Sequence, residues 1–162
     1  MNIELIRDSK LSTLNSKPSL EGSLYINGQY LCDTAENRLT ALPAGQYRIV
    51  RHYCHQYNRY MPIIIKSHPE LVSGSEKHQF NCSQCSPQKT EDKEVSLNTV
   101  MPCHCPMLKP GNGVHHREDG SIILGTQLIP GCLIHPLQAF EPLAERIRKA
   151  IKRNKVITLI IQ

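Results

Sequence analysis

The chain has 162 residues, of which 40% are hydrophobic and 20% charged, with a net charge of +5. That length buries a core without staples, and that composition excludes global disorder. No run of about 18 apolar residues occurs, so no transmembrane helix is expected, and the start, Met1 to Asp8, is too polar for a Sec signal. The expectation is a cytoplasmic protein, one exported by a signal-less route, or a mature piece of an exported one. The positive charge favours anionic partners but forms no concentrated basic stripe. Trp is absent and there are two Phe, so a large stacking platform is lacking and nucleic acid is not the expected partner.

In chain order, residues 2–8 alternate polar and apolar side chains, as a strand does. Residues 22–33 place Asn27-Gly28 between β-rich flanks, the signature of a hairpin with a type I′ turn. Residues 34–42 read as a loop, Pro43 to Gly45 as a turn, 46–54 as a strand, and 61–66 as another, with Pro62 marking an edge or a first residue. From 67 to 120 the chain is rich in Ser, Pro, Gly, Gln, Asn, His and Cys and has no apolar period. So long a structureless loop needs something to order it. Short strands are expected at 121–125 and 131–135. A helix is expected at 138–153, where Phe140, Leu143, Ile147, Ala150 and Ile151 recur at helical spacing. Basic residues fill its last turns and Asn154 suits the position just beyond it. Residues 155–161 close as a strand. The sum is one β-rich α+β domain, residues 1–162, with hairpins, one long C-terminal helix and a Cys-rich irregular insertion at 67–120.

The seven cysteines divide into two groups. Cys32, Cys54 and Cys132 lie in apolar segments and read as core residues. Cys82-x2-Cys85, seventeen residues, then Cys103-x-Cys105 are two close pairs in a polar stretch. Two such pairs suit a tetrahedral zinc, and the metal's binding energy would fold a segment without its own core. Disulfides and free thiols are the alternatives, and His78, His104, His115 or His116 could replace one thiolate. A closed four-thiolate site has no open position, so a zinc here is structural. A second group, His52-x-Cys54-His55, reads as a core Cys with surface His; on a strand His52 and Cys54 share a face. Arg51, His52, Tyr53, His55, Tyr57, Arg59 and Tyr60 interleave basic and aromatic side chains, as a phosphate-contacting patch or an exposed sheet edge would. Walker, dinucleotide-binding and H-E-x-x-H motifs are absent.

Two stretches carry a resemblance. The first runs through Gly22-x-Leu24-Tyr-Ile-Asn-Gly28, Cys32-Asp-Thr34-x-Glu36, Ala41-Leu-Pro43-Ala-Gly45-x-Tyr47 and Arg59-x-Met61-Pro62. The second runs through Pro110-Gly111-Asn112, Asp119-Gly120-Ser121-Ile122, Gly125, the Phe140–Ile151 helix and the Ile157–Ile160 strand. Together they resemble a family of small bacterial and phage domains, over roughly the first 66 and the last 55 residues. That family typically has Ile-His-x-Gly-Asn and, further on, Gly-Cys-Ile, and so is similar to the L,D-transpeptidases. In those enzymes a His activates a Cys nucleophile against a peptidoglycan stem peptide.

The resemblance implies an envelope-directed domain, with one departure at its centre. The expected His falls on Lys109 and the expected Cys on Ser121. Losing both members of a Cys–His pair abolishes that mechanism. A Ser121–Lys109 pair is chemically conceivable, because a desolvated Lys deprotonates Ser, and His115 or His116 could supply a base instead. Asp119-Gly120-Ser121 is also a common turn, in which Ser121 is structural and Lys109 superficial. Gly131-Cys132 with His135 offers a thiol and an imidazole, but on a strand the two face opposite sides. Two functions follow as expectations. The first is a peptidoglycan-related domain that binds a peptide or envelope component, or works by altered chemistry, with Ser121, Lys109 and His116 as candidate catalytic residues. The second is a non-enzymatic module, stabilised by a structural zinc on Cys82, Cys85, Cys103 and Cys105, in a phage or secretion assembly.

Overall fold

Hydrogen-bonded strands dominate the molecule. The computed structural model describes residues 1–8, 12–14, 17–54, 56–66, 105–112 and 119–162. Among these are ten strands and one helix: β1 (Asn2–Arg7), β2 (Ser12–Leu14), β3 (Lys17–Ile26), β4 (Gln29–Asn37), β5 (Gly45–Cys54), β6 (Arg59–Lys66), β7 (Leu108–Pro110), β8 (Ile122–Ile129), β9 (Cys132–Ile134), α1 (Pro136–Lys152) and β10 (Thr158–Ile161). The main sheet runs β6-β5-β10-β1-β3-β4-β8-β7. Its two ends meet: Ile63 on β6 bridges Met107 just before β7, and the Ile64 N–H donates to the Pro106 carbonyl at 2.8 Å. The sheet is therefore a nearly closed barrel, which removes exposed edges.

Local chemistry accounts for the elements. Asn27 (φ 49°) and Gly28 (φ 79°) both take the positive φ of a type I′ turn, so the β3–β4 hairpin forms where the Asn-Gly pair stands. Pro62 opposes Arg51 in the β5–β6 pair. N–H groups alternate sides along a strand, and that of Ile64 points away from β5 to Pro106, so the donor that Pro62 lacks would also face away from β5, toward the seam. β10 lies between β1, to which it is parallel, and β5, to which it is antiparallel.

Helix α1 begins earlier than its apolar period implies, because Pro136 is pre-set for the first turn. It buries Ala139, Phe140, Leu143, Ile147 and Ala150 against β8, β7, β6 and β4. Asn154 (φ 53°) donates to the Ile151 carbonyl and Lys155 to that of Ala150, so the helix ends in a Schellman motif with Asn154 in the expected place. The helix residues join Ile3, Leu5, Leu24, Ile26, Ile49, Met61, Ile63, Ile122, Leu124 and Leu159 in one core. A smaller cluster, Ala35, Ile123 and Leu133, lies where β9 folds back on β8.

Four expectations are corrected. Residues 34–37 are strand, not loop: Thr34, Ala35 and Glu36 are buried in β4, where Arg7 neutralises Glu36. β3 starts at Lys17, before the expected Gly22, and pairs along the whole of β4. Leu108–Pro110, within the stretch expected to be irregular, is a strand parallel to β8. Ile151 is on the exposed side of α1 and belongs to no core cluster. The rest of the expected insertion, residues 67–104 and 113–118, lies outside the described residues. No described helix is long and apolar enough to cross a membrane.

Candidate functional site

Lys109 stands on β7 beside Ile123 of β8, and Ser121 immediately precedes β8. The turn between carries Asp119 and Gly120, the latter at φ 70°. A side chain at Gly120 would be strained by that φ and would lie 3.0 Å from the Thr40 carbonyl oxygen, so glycine lets the turn fold tightly. The tight turn brings Asp119 between Lys109 and Ser121. Lys109 Nζ donates to Asp119 Oδ2 at 2.7 Å, and the Ser121 N–H donates to Asp119 Oδ1 at 3.0 Å. The Ser121 hydroxyl also bonds to this carboxylate, and its Oγ accepts the Met107 N–H at 3.1 Å. The ion pair is buried: the Lys109 side chain is 3% exposed and that of Asp119 5%.

Burial alone would push the Asp119 carboxyl up. Hydrogen bonds from Lys109 and Ser121 and the charge of Lys109 outweigh it and hold the carboxyl below the usual range. A carboxylate so held is a poor proton acceptor. The Lys109 ammonium has no lone pair to offer while the pair persists. Ser121 is 6% exposed, with its hydroxyl engaged by the Asp119 carboxylate and the Met107 N–H. The structure thus brings together two of the three residues proposed as catalytic, through a third, Asp119, that sequence reasoning passed over as a turn residue. The available signal was an acid two residues before Ser121 and a Lys in an otherwise apolar strand. His116 and His115 lie outside the described residues.

Cys82, Cys85 and Cys103 also lie outside the described residues, as do His55, His78 and His104. Cys105 is buried and belongs to the main core, beside the barrel seam. Cys32 and Cys54 are core residues as expected; burial and the neighbouring Asp33 push the Cys32 thiol up to about 12. Cys132 is half-buried on β9, and His135 is exposed as the left-handed residue (φ 52°) preceding α1. No group of three or more His, Cys, Asp or Glu placed to hold a metal occurs among the described residues.

The basic and aromatic patch becomes a cleft of about 300 Å³ between β5, β6 and α1. Tyr53 opposes Tyr60 and Arg51 opposes Pro62, so these four share one face of the β5–β6 hairpin, across from Ala144 and Ile147 of α1. The Arg51 guanidinium lies 4.2 Å from the Tyr60 ring centroid. The Tyr53 and Tyr60 rings meet edge to face at 5.3 Å, and the Tyr53 hydroxyl donates to Asn58 Oδ1. Arg59 lies over Phe140 and pairs with Glu141 at 3.0 Å. The chain matches no protein-family model, no curated protein and no solved structure.

Proposed function

We propose that this chain is a non-catalytic, envelope-directed binding domain of the L,D-transpeptidase-like kind, one that engages a peptide component without transferring acyl groups. The observation that carries the reading is the Lys109–Asp119 pair at 2.7 Å, buried, with Ser121 bonded to the same carboxylate. Lys109 and Ser121 hold the positions where the resemblance implies a base and a nucleophile. In this chain both bond to Asp119, an arrangement that closes a turn and fastens β7 to β8.

The peptide half of the reading rests on the resemblance, and both halves are open to one experiment. Purified protein is incubated with peptidoglycan sacculi and with stem tetrapeptides. The expected result is retention on sacculi with no cross-linked or hydrolysed product, unchanged in Ser121→Ala. Product formation that Ser121→Ala abolishes would overturn the non-catalytic half. Failure to be retained, at low salt and with the fold intact, would overturn the envelope half.

A further inference from the structure

The β5–β6 cleft has a feature that core packing does not require: a guanidinium placed on a ring. Arg51 is exposed, and among the described residues no carboxylate forms an ion pair with it. Its guanidinium lies over the Tyr60 ring, a contact that uses none of its hydrogen bonds. A fork of N–H donors held in this way is suited to a carboxylate or phosphate in bidentate geometry, and Lys would not replace it. Asn58 Oδ1 is taken by Tyr53, which leaves the donor end of that amide to a ligand. None of the described residues lining the cleft is acidic, while Pro62, Ala144 and Ile147 supply apolar wall. The volume, about 300 Å³, is that of a small-molecule site.

We propose that this cleft binds a small oxyanion ligand, carboxylate or phosphate, attached to an apolar body. The oxyanion pairs with Arg51, and the body packs on the apolar wall. Arg59 stands at the rim with Glu141 on its guanidinium; that exposed pair competes weakly with the ligand for a second cation. The site is built on elements other than the Lys109–Asp119 turn, and it does not depend on the envelope reading.

The test uses the whole protein, with benzoate, phenyl phosphate and, as the neutral match, benzyl alcohol, followed by amide chemical shifts. The expected result is that benzoate or phenyl phosphate moves amides of β5, β6 and α1, the tighter of the two identifying the oxyanion, while benzyl alcohol binds more weakly than both. Arg51→Gln should weaken the anion by roughly ten-fold or more, as for a lost charged hydrogen bond. Glu141→Gln, which frees Arg59, should tighten it by about two- to five-fold. If Arg51→Gln does not fold, Glu141→Gln decides. Absence of shifts at the cleft with both anions would overturn the proposal, as would equal binding of benzyl alcohol or anion affinity that neither variant changes.

Discussion

Lys109 shows how much one neighbour decides. On sequence it stands where a catalytic base is expected; in the fold it is a buried cation held by Asp119. Removing one partner of such a pair leaves the other charged and unsolvated, which costs about 3–5 kcal/mol. Asp119→Asn should lose about that much in urea unfolding at neutral pH, and Lys109→Met with Asp119→Leu should recover most of it. The dependence on pH has a definite direction. The native carboxyl titrates below its unfolded value of about 3.9, so the unfolded chain binds the extra proton in that window. The pair's contribution is therefore present above that value and fades as pH falls through the native one. Asp119→Asn should lack that acid slope, and a variant as stable as the parent, with the same slope, would refute the pair's role. The same scale contains Arg7, which donates to both oxygens of Glu36 at 2.8 Å and to the Leu42 carbonyl at 2.7 Å. It also contains Glu21, which accepts the Gly131 N–H at 2.6 Å and thereby holds the β8–β9 hairpin. Neither was legible in the sequence, because each acid meets its partner only through strand pairing.

At the scale of elements, what could be read depended on how local the cause was. The Asn27-Gly28 turn and the Asn154 cap were legible because each is set by the φ preference of one or two residues. The apolar stripe of α1 was legible from its period, apart from its last member. The extent of β4 was not: Thr34 and Glu36 broke the alternation, and their burial depends on β8 and Arg7 from elsewhere in the chain. β7 was missed for a similar reason. Three residues make no pattern alone, and they become a strand by pairing with β8 and closing the barrel beside β6. The cap makes a prediction at this scale. Asn154→Val forces a β-branched side chain into the left-handed region and should cost about 1–2 kcal/mol, whereas Asn154→Gly should be neutral or stabilising. Thermal midpoints in the order Gly, Asn, Val are expected; Val equal to Asn would show that the cap geometry is not adopted.

For the whole molecule, closure is the informative feature. The described segments that flank residues 67–104 sit side by side, since Ile64 bonds to Pro106 and Ile63 pairs with Met107. The barrel thus closes between segments on either side of residues 67–104. Closing a loop costs only slightly more as it lengthens, so the barrel should be nearly indifferent to its size. Replacing 67–104 by a short Gly/Ser linker is expected to leave unfolding cooperative, with a small change in midpoint. Loss of folding would show that the segment belongs to the core.

The sequence by itself determined the class of fold, the principal hairpin and the helix with its cap. These follow from side-chain period and backbone preference, which act over a few residues. Only the tertiary structure decided that the sheet closes, that β7 completes it, and that Lys109 and Ser121 are both bound to Asp119. Each of these depends on strands distant in sequence meeting in register. Whether a cation is a base or half of an ion pair depends on the acid beside it, and the fold places that acid.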